Sequence, residues 1–415
     1  NFVPALNNIS LAYFAEGEID RAIDFAQRTL SLEPDNIHAL SNLVHYLCVN
    51  GRWAEARQVA ERLMTSQAKA MEPWLKKIEA FSFLGDDAAV VDIFTRAEQV
   101  DALRHPGINP YIYHLVAAAE LRLGREPAAK QHWRQALEVS PGLKVAKENL
   151  DDLRRPIGAR HGPWAFELGQ WLSQKAMVDL QHLLKPIAGT AGDKAVAQAT
   201  RRFLQLHPEM LSLLPVLLER GDPATTKFVV ALVKMARNPE LLIALKDFAL
   251  SQRGSDSLRL EAAQVVSEAG LLPSGPSKVW TKGEQHEVLL LNFEIYSEPA
   301  RRQHSAAVEK LLIKAIRAFQ ERGEADLGET LLKQALALEP GAPDILNNLA
   351  AVYDFQGHNQ EAETIARQIY ASHPDYFFAR ISIARFEIRD HELDRAGEML
   401  TPLMSLHRLH VSQFV

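Results

Sequence analysis

Asparagine side chains in recurring contexts are the most chemically specific feature of this sequence. A carboxamide carries both a donor and an acceptor, so it can pair with the N–H and C=O of an extended peptide without reading its side chains. The contexts are ALNNIS, ALSNLV and ILNNLA. The asparagines within them are Asn7, Asn8, Asn42, Asn347 and Asn348. We predict that these residues bind a protein segment through its backbone.

Residue types that could carry catalysis lack the spacing that catalysis needs. His286-Glu287 and His391-Glu392 have no second histidine at the spacing of a zinc-protease helix. The single cysteine, Cys48, lies in an apolar helical pattern without an evident activator, so we expect a small buried hydrophobe. The sequence has neither a nucleophile elbow nor a phosphate-binding glycine loop. We therefore predict no enzyme activity, no cofactor and no metal.

Two further sets of side chains could contact a partner. The first is a basic surface on one predicted helix, made of Arg301, Arg302, Lys310, Lys314 and Arg317. It is either a solvated face or a contact to nucleic acid or an acidic protein segment. The second set is aromatic and stands near the starts of predicted helices, at Trp74, Tyr111, Tyr113, Tyr376 and Phe377. These aromatic residues serve either as peptide anchors or as core.

The composition is that of an ordinary folded protein. The 415 residues are 47% hydrophobic and 24% charged, and the net charge of −6 argues against a protein devoted throughout to nucleic acid or anionic membranes. No apolar run reaches the roughly 18–20 residues of a membrane span. Because a lone cysteine suits a reducing compartment, we expect a cytoplasmic protein. The chain starts NFVPALNN, without a methionine, and we expect a piece of a longer protein.

A period of 34 residues organises both ends of the chain. Pro340 and Pro374 stand 34 residues apart, with small and apolar residues at fixed places between them. Such a period is typical of stacked helix–turn–helix units, in which proline closes the second helix and small residues let the helices approach. Units begin near Val3, Ile37, Met71, Pro110, Glu309, Pro343 and Phe377.

This pattern resembles the tetratricopeptide repeat family. The resemblance implies an all-α superhelix, a solenoid, whose first helices line a concave groove. It also implies that Asn8, Asn42 and Asn348, all at place 6 of their units, face that groove. The row is similar to the asparagine ladder in the superhelix of O-GlcNAc transferases. It is incomplete, since other residues hold place 6 in the remaining units. Asn7 and Leu11 stand where members that clamp chaperone tails need lysine and asparagine, so that subclass is not indicated.

The 34-residue period disappears between about 154 and 299. The stretch GPWAFELGQWLSQKAMVDLQHLLKP predicts one long amphipathic helix ending at Pro186, and Asp193, Asp222 and Asn238 are predicted N-caps. The middle is similar to HEAT-like arrays. The one strand signal predicts a β-hairpin at 278–291, around Lys282-Gly283. That hairpin either docks a partner or caps exposed helix ends.

These patterns divide the chain into four segments. They are an N-terminal array of about four repeats (1–153), irregular helical hairpins (154–272), a β-hairpin linker (273–300) and a C-terminal array of about three repeats (301–415). We predict a non-catalytic scaffold that binds a protein or an extended peptide in the concave groove. The alternatives are a regulatory or substrate-recruiting arm of a larger enzyme and a nucleic-acid-associated repeat protein.

Overall fold

Two compact units make up the chain in the computed structural model. The structure describes residues 2–66, 71–100, 103, 108–187, 193–290, 294–297, 304–404, 406 and 408–413. Unit 1 comprises Asn1–Leu272 with Lys278–Val288, and unit 2 comprises Pro273–Ser277 with Leu289–Val415. Helices dominate both, and the predicted all-α repeat architecture with one short hairpin is confirmed.

Unit 1 begins with an N-terminal array of paired antiparallel helices. In the first four repeats the first helix packs against its own second helix, and the first helices of neighbouring repeats also pack against each other. The helices are α1 (Val3–Ala15), α2 (Ile19–Leu32), α3 (Ile37–Val49), α4 (Trp53–Thr65), α5 (Met71–Leu84), α6 (Asp87–Gln99), α7 (Tyr111–Arg122), α8 (Glu126–Val139) and α9 (Lys144–Asp152). Helix α9 packs on α8 as the first helix of one more repeat.

Small residues and glycines explain the tight pairing. Ala22 and Ala26 of α2 and Ala56 and Ala60 of α4 are almost completely buried, so the helices meet at close range. The turns within the repeats place glycine in the left-handed region, as at Gly17 with φ of +79°. Such a conformation is easy for glycine and costly for most other residues.

The irregular middle continues unit 1. Its helices are α10 (Leu168–Trp171), α11 (Gln174–Ile187), α12 (Asp193–Leu206), α13 (Met210–Arg220), α14 (Pro223–Ala236), α15 (Pro239–Leu250) and α16 (Asp256–Glu268). Asp222 and Asn238 cap α14 and α15 through their side-chain oxygens, as predicted. Asp193 is the first residue of α12, and the residues before it lie outside the described ones.

The prediction of one long helix ending at Pro186 is wrong. The chain from Gly162 to Phe166 has no regular structure, α10 is a single turn, and α11 starts only at Gln174 and includes Pro186. Ser173 caps α11 by accepting a hydrogen bond from the Ala176 N–H at 3.1 Å, which stops the helix from extending backwards.

The predicted hairpin consists of β1 (Gly275–Thr281) and β2 (Glu284–Leu290). Lys282 and Gly283 form its turn with φ of +53° and +85°, the sign expected at both centres of a type I′ turn. The turn is attached to α16 within unit 1, because Lys282 N–H donates to Asp256 Oδ2 at 2.8 Å and Arg259 Nη2 donates to Trp280 O at 3.2 Å.

Unit 2 contains the C-terminal array. Its helices are α17 (Ala306–Ile316), α18 (Ala325–Leu338), α19 (Pro343–Phe355), α20 (Asn359–Ser372), α21 (Phe377–Arg389) and α22 (Leu393–Met404), with a π-helical turn at Arg317–Glu321. Leu332 and Ala335 of α18 pack with Ile345 of α19 in its core. Among the described residues, no helix of the chain is long and apolar enough to cross a membrane.

Unit 2 also contains strands that the sequence did not predict. β3 (Glu294–Tyr296) pairs in parallel with β4 (Arg408–His410), with Ile295 opposite Leu409. The expectation of a single strand signal was therefore wrong. A three-residue strand carries too little alternation to be recognised in a sequence, and its partner lies more than a hundred residues away.

Candidate functional site

The first helices of the successive repeats in each array are here called its A-helix face. In unit 1 it consists of α1, α3, α5, α7 and α9. This face is covered by the chain itself. The segment Gly162–Ser173, here called the inner segment, contacts residues of α3, α5, α7 and α9.

Asn149 of α9 pairs with both backbone groups of Trp164 in the inner segment. Its Oδ1 accepts from Trp164 N–H at 3.2 Å, and its Nδ2 donates to Trp164 O at 3.2 Å. Nδ2 also donates to Val145 O at 2.9 Å, one turn back in the same helix, which orients the amide. Because Asn149 is buried, the pairing replaces water that these groups cannot reach.

Neighbouring residues hold the backbone on both sides of Trp164. Arg122 Nη2 donates to Pro163 O at 3.1 Å. His114 Nε2 lies 2.9 Å from Ala165 O, and the Tyr111 hydroxyl donates to the same carbonyl at 2.8 Å. Three successive carbonyls of the inner segment are therefore bound by side chains of the A-helix face, which is extended-peptide recognition within one chain.

Two histidines of this face are shielded from water and neutral, His114 being buried and His45 half-buried. Trp133 Nε1 donates to His114 Nδ1 at 3.1 Å, so Nδ1 is the acceptor and Nε2 carries the proton that is donated to Ala165 O. Burial lowers the pKa of His114 to about 4 and that of His45 to about 4. A proton added to either ring would be a charge without water around it.

An aromatic column joins the A-helix face to the inner segment. His45 lies between Phe14 and Phe83, with ring centroids 4.9 and 4.0 Å away. Phe83 then stacks on Phe166 at 4.0 Å, with planes 9° apart, and meets the edge of Trp171 at 5.1 Å. Stacking and burial of this kind hold the inner segment in place.

The A-helix face of unit 2 consists of α17, α19 and α21, and its asparagine at place 6 makes the same bond to its own helix as Asn149. Asn348 Nδ2 donates to Asp344 O at 2.8 Å, the same one-turn bond that Asn149 makes to Val145. Within the described residues, Oδ1 of Asn348 has no hydrogen-bond partner. Asn348 is only half-buried, so part of the residue is accessible to a partner.

The three helices of this face carry exposed apolar side chains. Ile313 is 47% exposed, Phe355 64% and Ile388 48%. They occupy places 5, 13 and 12 of their 34-residue units. In unit 1, residues at those places contact the inner segment or belong to the aromatic column. Unit 2 therefore exposes the positions that unit 1 covers.

The predicted asparagines fall into two groups. Asn7, Asn8 and Asn42 lie in unit 1, where Asn8 is exposed and the other two are half-buried. Asn347 and Asn348 are neighbours on α19 of unit 2, at places 5 and 6. Backbone binding by these five residues stays a prediction.

The predicted basic surface is described only in part. Arg301 and Arg302 lie outside the described residues. Lys310, Lys314 and Arg317 are exposed, and within the described part of the chain they form no ion pair. Their contact with a partner stays a prediction.

Other predicted candidates belong to the interior. Cys48 is buried, and burial raises the pKa of its thiol to about 12, which leaves it unreactive. Trp74 is buried in α5, and Tyr113 stacks on His132. Of the aromatic candidates, Tyr111 contacts the inner segment. Among the described residues, no group of three or more His, Cys, Asp or Glu side chains could hold a metal ion.

Asn149 was missed by the sequence reasoning although a signal for it exists. A unit beginning at Lys144, 34 residues after Pro110, places Asn149 at place 6, the place of Asn8, Asn42 and Asn348. The predicted N-terminal array ended with the repeat that begins near Pro110, because the next repeat has no second helix. Arg122, His114 and Phe83 carry no pattern that distinguishes them from core or surface residues.

Comparison with known proteins agrees with the repeat assignment. A tetratricopeptide repeat family model matches residues 13–75 and 319–381, so repeats of this type lie at both ends of the chain. The predicted resemblance is confirmed for these segments. Such repeats are generally protein–protein interaction modules and are typically non-catalytic. No curated protein matches the sequence.

Proposed function

We propose that this protein is a non-catalytic interaction scaffold whose A-helix face in unit 2 binds an extended segment of a partner protein. The single observation that carries the proposal is the clamp of Asn149 on Trp164, in which a place-6 asparagine pairs with an extended backbone. Asn348 occupies the same place and makes the same orienting bond to its own helix.

The chemistry of the face indicates what kind of segment fits. Ile313, Phe355 and Ile388 offer apolar contacts, and burying such side chains is the main source of affinity in small interfaces. Arg317 and Arg385 are exposed at place 9 of their units. The proposed occupant is therefore an extended segment with apolar side chains next to acidic ones.

Peptide selection tests this proposal. The full chain would be used to select binders from a displayed library of linear peptides, and the best peptide would then be titrated against variants. Asn348→Ala removes two backbone hydrogen bonds to the peptide, each worth about 0.5–1.5 kcal/mol, so we expect affinity about tenfold weaker or worse. Phe355→Ala should weaken binding similarly.

Asn359→Ala provides the matched control. Asn359 is an exposed asparagine of the same unit, but it lies at the start of α20, a second helix of a repeat. Its replacement should leave the affinity unchanged. Failure to enrich any peptide, or equal affinity of wild type and Asn348→Ala, would contradict the proposal.

The other predictions made from the sequence remain proposals. Asn8 and Asn42 remain proposed contacts of unit 1 with a partner. A cytoplasmic location, the basic surface and the alternative of a regulatory arm of a larger enzyme also remain proposals. Recovery of the reading frame around this sequence would test the last of them.

A further inference from the structure

A cleft of about 540 Å³ lies within unit 1, next to the start of the inner segment. It is bordered by the α5–α6 turn, the ends of α7 and α13, and the segments 160–163 and 252–254. This volume is within the roughly 300–1,000 Å³ of small-molecule sites.

Positive charge exceeds negative charge in the lining. Four arginines line the cleft against two carboxylates, Asp87 and Glu219; the arginines are Arg122, Arg160, Arg220 and Arg253. Asp87 lies 3.3 Å from Arg122, and Glu219 lies 3.0 Å from Arg253. Outside the lining, Glu126 lies 3.7 Å from Arg160. Of the four guanidiniums, one has a carboxylate contact longer than any of these.

That guanidinium belongs to Arg220, the last residue of α13. Its Nη1 is buried and has no hydrogen-bond partner among the described residues, and its Nε is 3.9 Å from Glu219. The group lies against Gly85, where a Cβ would overlap it and where φ is +71°. A buried donor of a charged group that lacks a partner is costly, so an acceptor supplied by a ligand would relieve that cost.

We propose that this cleft binds the phosphate group of a small molecule, with Arg220 as the principal contact. A guanidinium presents its donors in a planar fork that matches phosphate oxygens. Arg122 lies close enough to Arg220 for the two charges to repel each other, and a dianion between them would remove that repulsion. The site is independent of the peptide-binding face proposed for unit 2.

Calorimetric titration with inorganic phosphate at fixed ionic strength tests this site. Wild type should bind phosphate more tightly than chloride. Arg220→Gln should weaken phosphate binding at least tenfold, because it removes the guanidinium that is the principal contact. Glu219→Gln should strengthen it, because it removes a carboxylate from the lining. Arg28→Gln is the matched control, since Arg28 is an exposed arginine of α2 paired with Asp24 and should have no effect.

Each outcome decides for or against the site. Opposite changes in Arg220→Gln and Glu219→Gln, with Arg28→Gln unchanged, support it, and circular dichroism would confirm that the variants are folded. No phosphate binding by wild type overturns it, as does a loss of binding in Arg28→Gln equal to that in Arg220→Gln. If Arg220→Gln does not fold, weaker or unchanged binding by Glu219→Gln overturns the site on its own.

Discussion

The A-helix faces of the two arrays carry similar side chains but differ in exposure, because the inner segment covers the face of unit 1. In unit 1 an asparagine, two histidines and an aromatic column hold the inner segment, whereas in unit 2 an asparagine with the same local bond stands among exposed apolar residues. The difference indicates that one repeat type can hold its own chain in one place and, in our proposal, a partner in another.

Burial separates the two roles in physical terms. A face that binds its own chain permanently can use neutral buried histidines and a completely desolvated amide, since it never has to release its occupant. A face that binds a partner reversibly must remain hydrated when empty, and half-buried Asn348 meets that condition. Stability measurements on the two units test this contrast.

Acid should have the largest effect, and it should act on unit 1. The pKa values of His45 and His114 lie near 4 in the folded protein and near 6.5 in the unfolded chain. Between these values only the unfolded chain takes up the protons, so stability is complete above pH 6.5 and falls towards pH 4. The loss is roughly 3 kcal/mol for each histidine over the whole window.

Urea unfolding followed by tryptophan fluorescence measures this loss, because all six tryptophans belong to unit 1. His45→Gln keeps a side-chain donor but cannot titrate, so it should reduce the pH dependence. Equal stability of wild type at pH 7 and pH 4.5 would show that the inner face is not closed as described.

Truncation of an aromatic residue in the inner segment should have the next largest effect. Phe166 is buried against Phe83, and Phe166→Ala should lower the free energy of unfolding by about 3–5 kcal/mol. Phe355→Ala, at the exposed face of unit 2, should cost within about 0.5 kcal/mol. Urea unfolding with fluorescence for unit 1 and circular dichroism for the whole chain measures both. Similar losses in the two variants would mean that both faces are covered.

Replacing the asparagine should also cost more stability in unit 1 than in unit 2. The difference should be smaller than that between the two phenylalanine variants. Asn149→Ala leaves the N–H and C=O of Trp164 without partners in a buried site, which should cost about 2–3 kcal/mol. Asn348→Ala removes only a bond to its own helix and should cost well under 1 kcal/mol. If the two denaturation curves shift equally, Asn348 has a structural role that the peptide-binding proposal does not include.

The sequence predicted the repeats well because their signal is local and repeated. Ala22, Ala26 and the turn glycines recur at fixed spacing, and each occurrence supports the others. The clamp chemistry of asparagine was also predictable, because it follows from the side chain itself. Its actual site at Asn149 was missed because the repeat there is incomplete.

The covering of the inner face could not be predicted from local patterns. Apolar residues recur at helical spacing in the stretch GPWAFELGQWLSQKAMVDL. Nothing in this pattern shows that its first residues are not helical and pack against α7 and α9. The backbone there is extended because Arg122, Asn149 and His114 bind its carbonyls, and these contacts span up to 51 residues of sequence. Tertiary hydrogen bonds override local helix preference at this position.

The smallest effect should come from a histidine of unit 2 and should have the opposite pH dependence. His304 lies 2.6 Å from Glu339 and 2.6 Å from Asp344, joining the start of α17 to the α18–α19 connection. The hydrogen bond to Glu339, then that to Asp344, raises the pKa of His304. Its contribution is therefore complete below pH 6.5 and is lost as pH rises through the folded-state pKa.

His304→Asn should destabilise α17 by about 1 kcal/mol at pH 6 and have little effect at pH 9, because the wild-type ring is then neutral. Amide hydrogen exchange of α17, corrected for the intrinsic pH dependence of exchange, measures this local stability. His358→Asn is the control, since His358 is an exposed histidine of the same unit with no carboxylate contact among the described residues. Acid would thus lower the stability of unit 1 and raise the local stability of α17 in unit 2. A loss in His304→Asn that is the same at both pH values would show that the ring acts by packing and not by its charge.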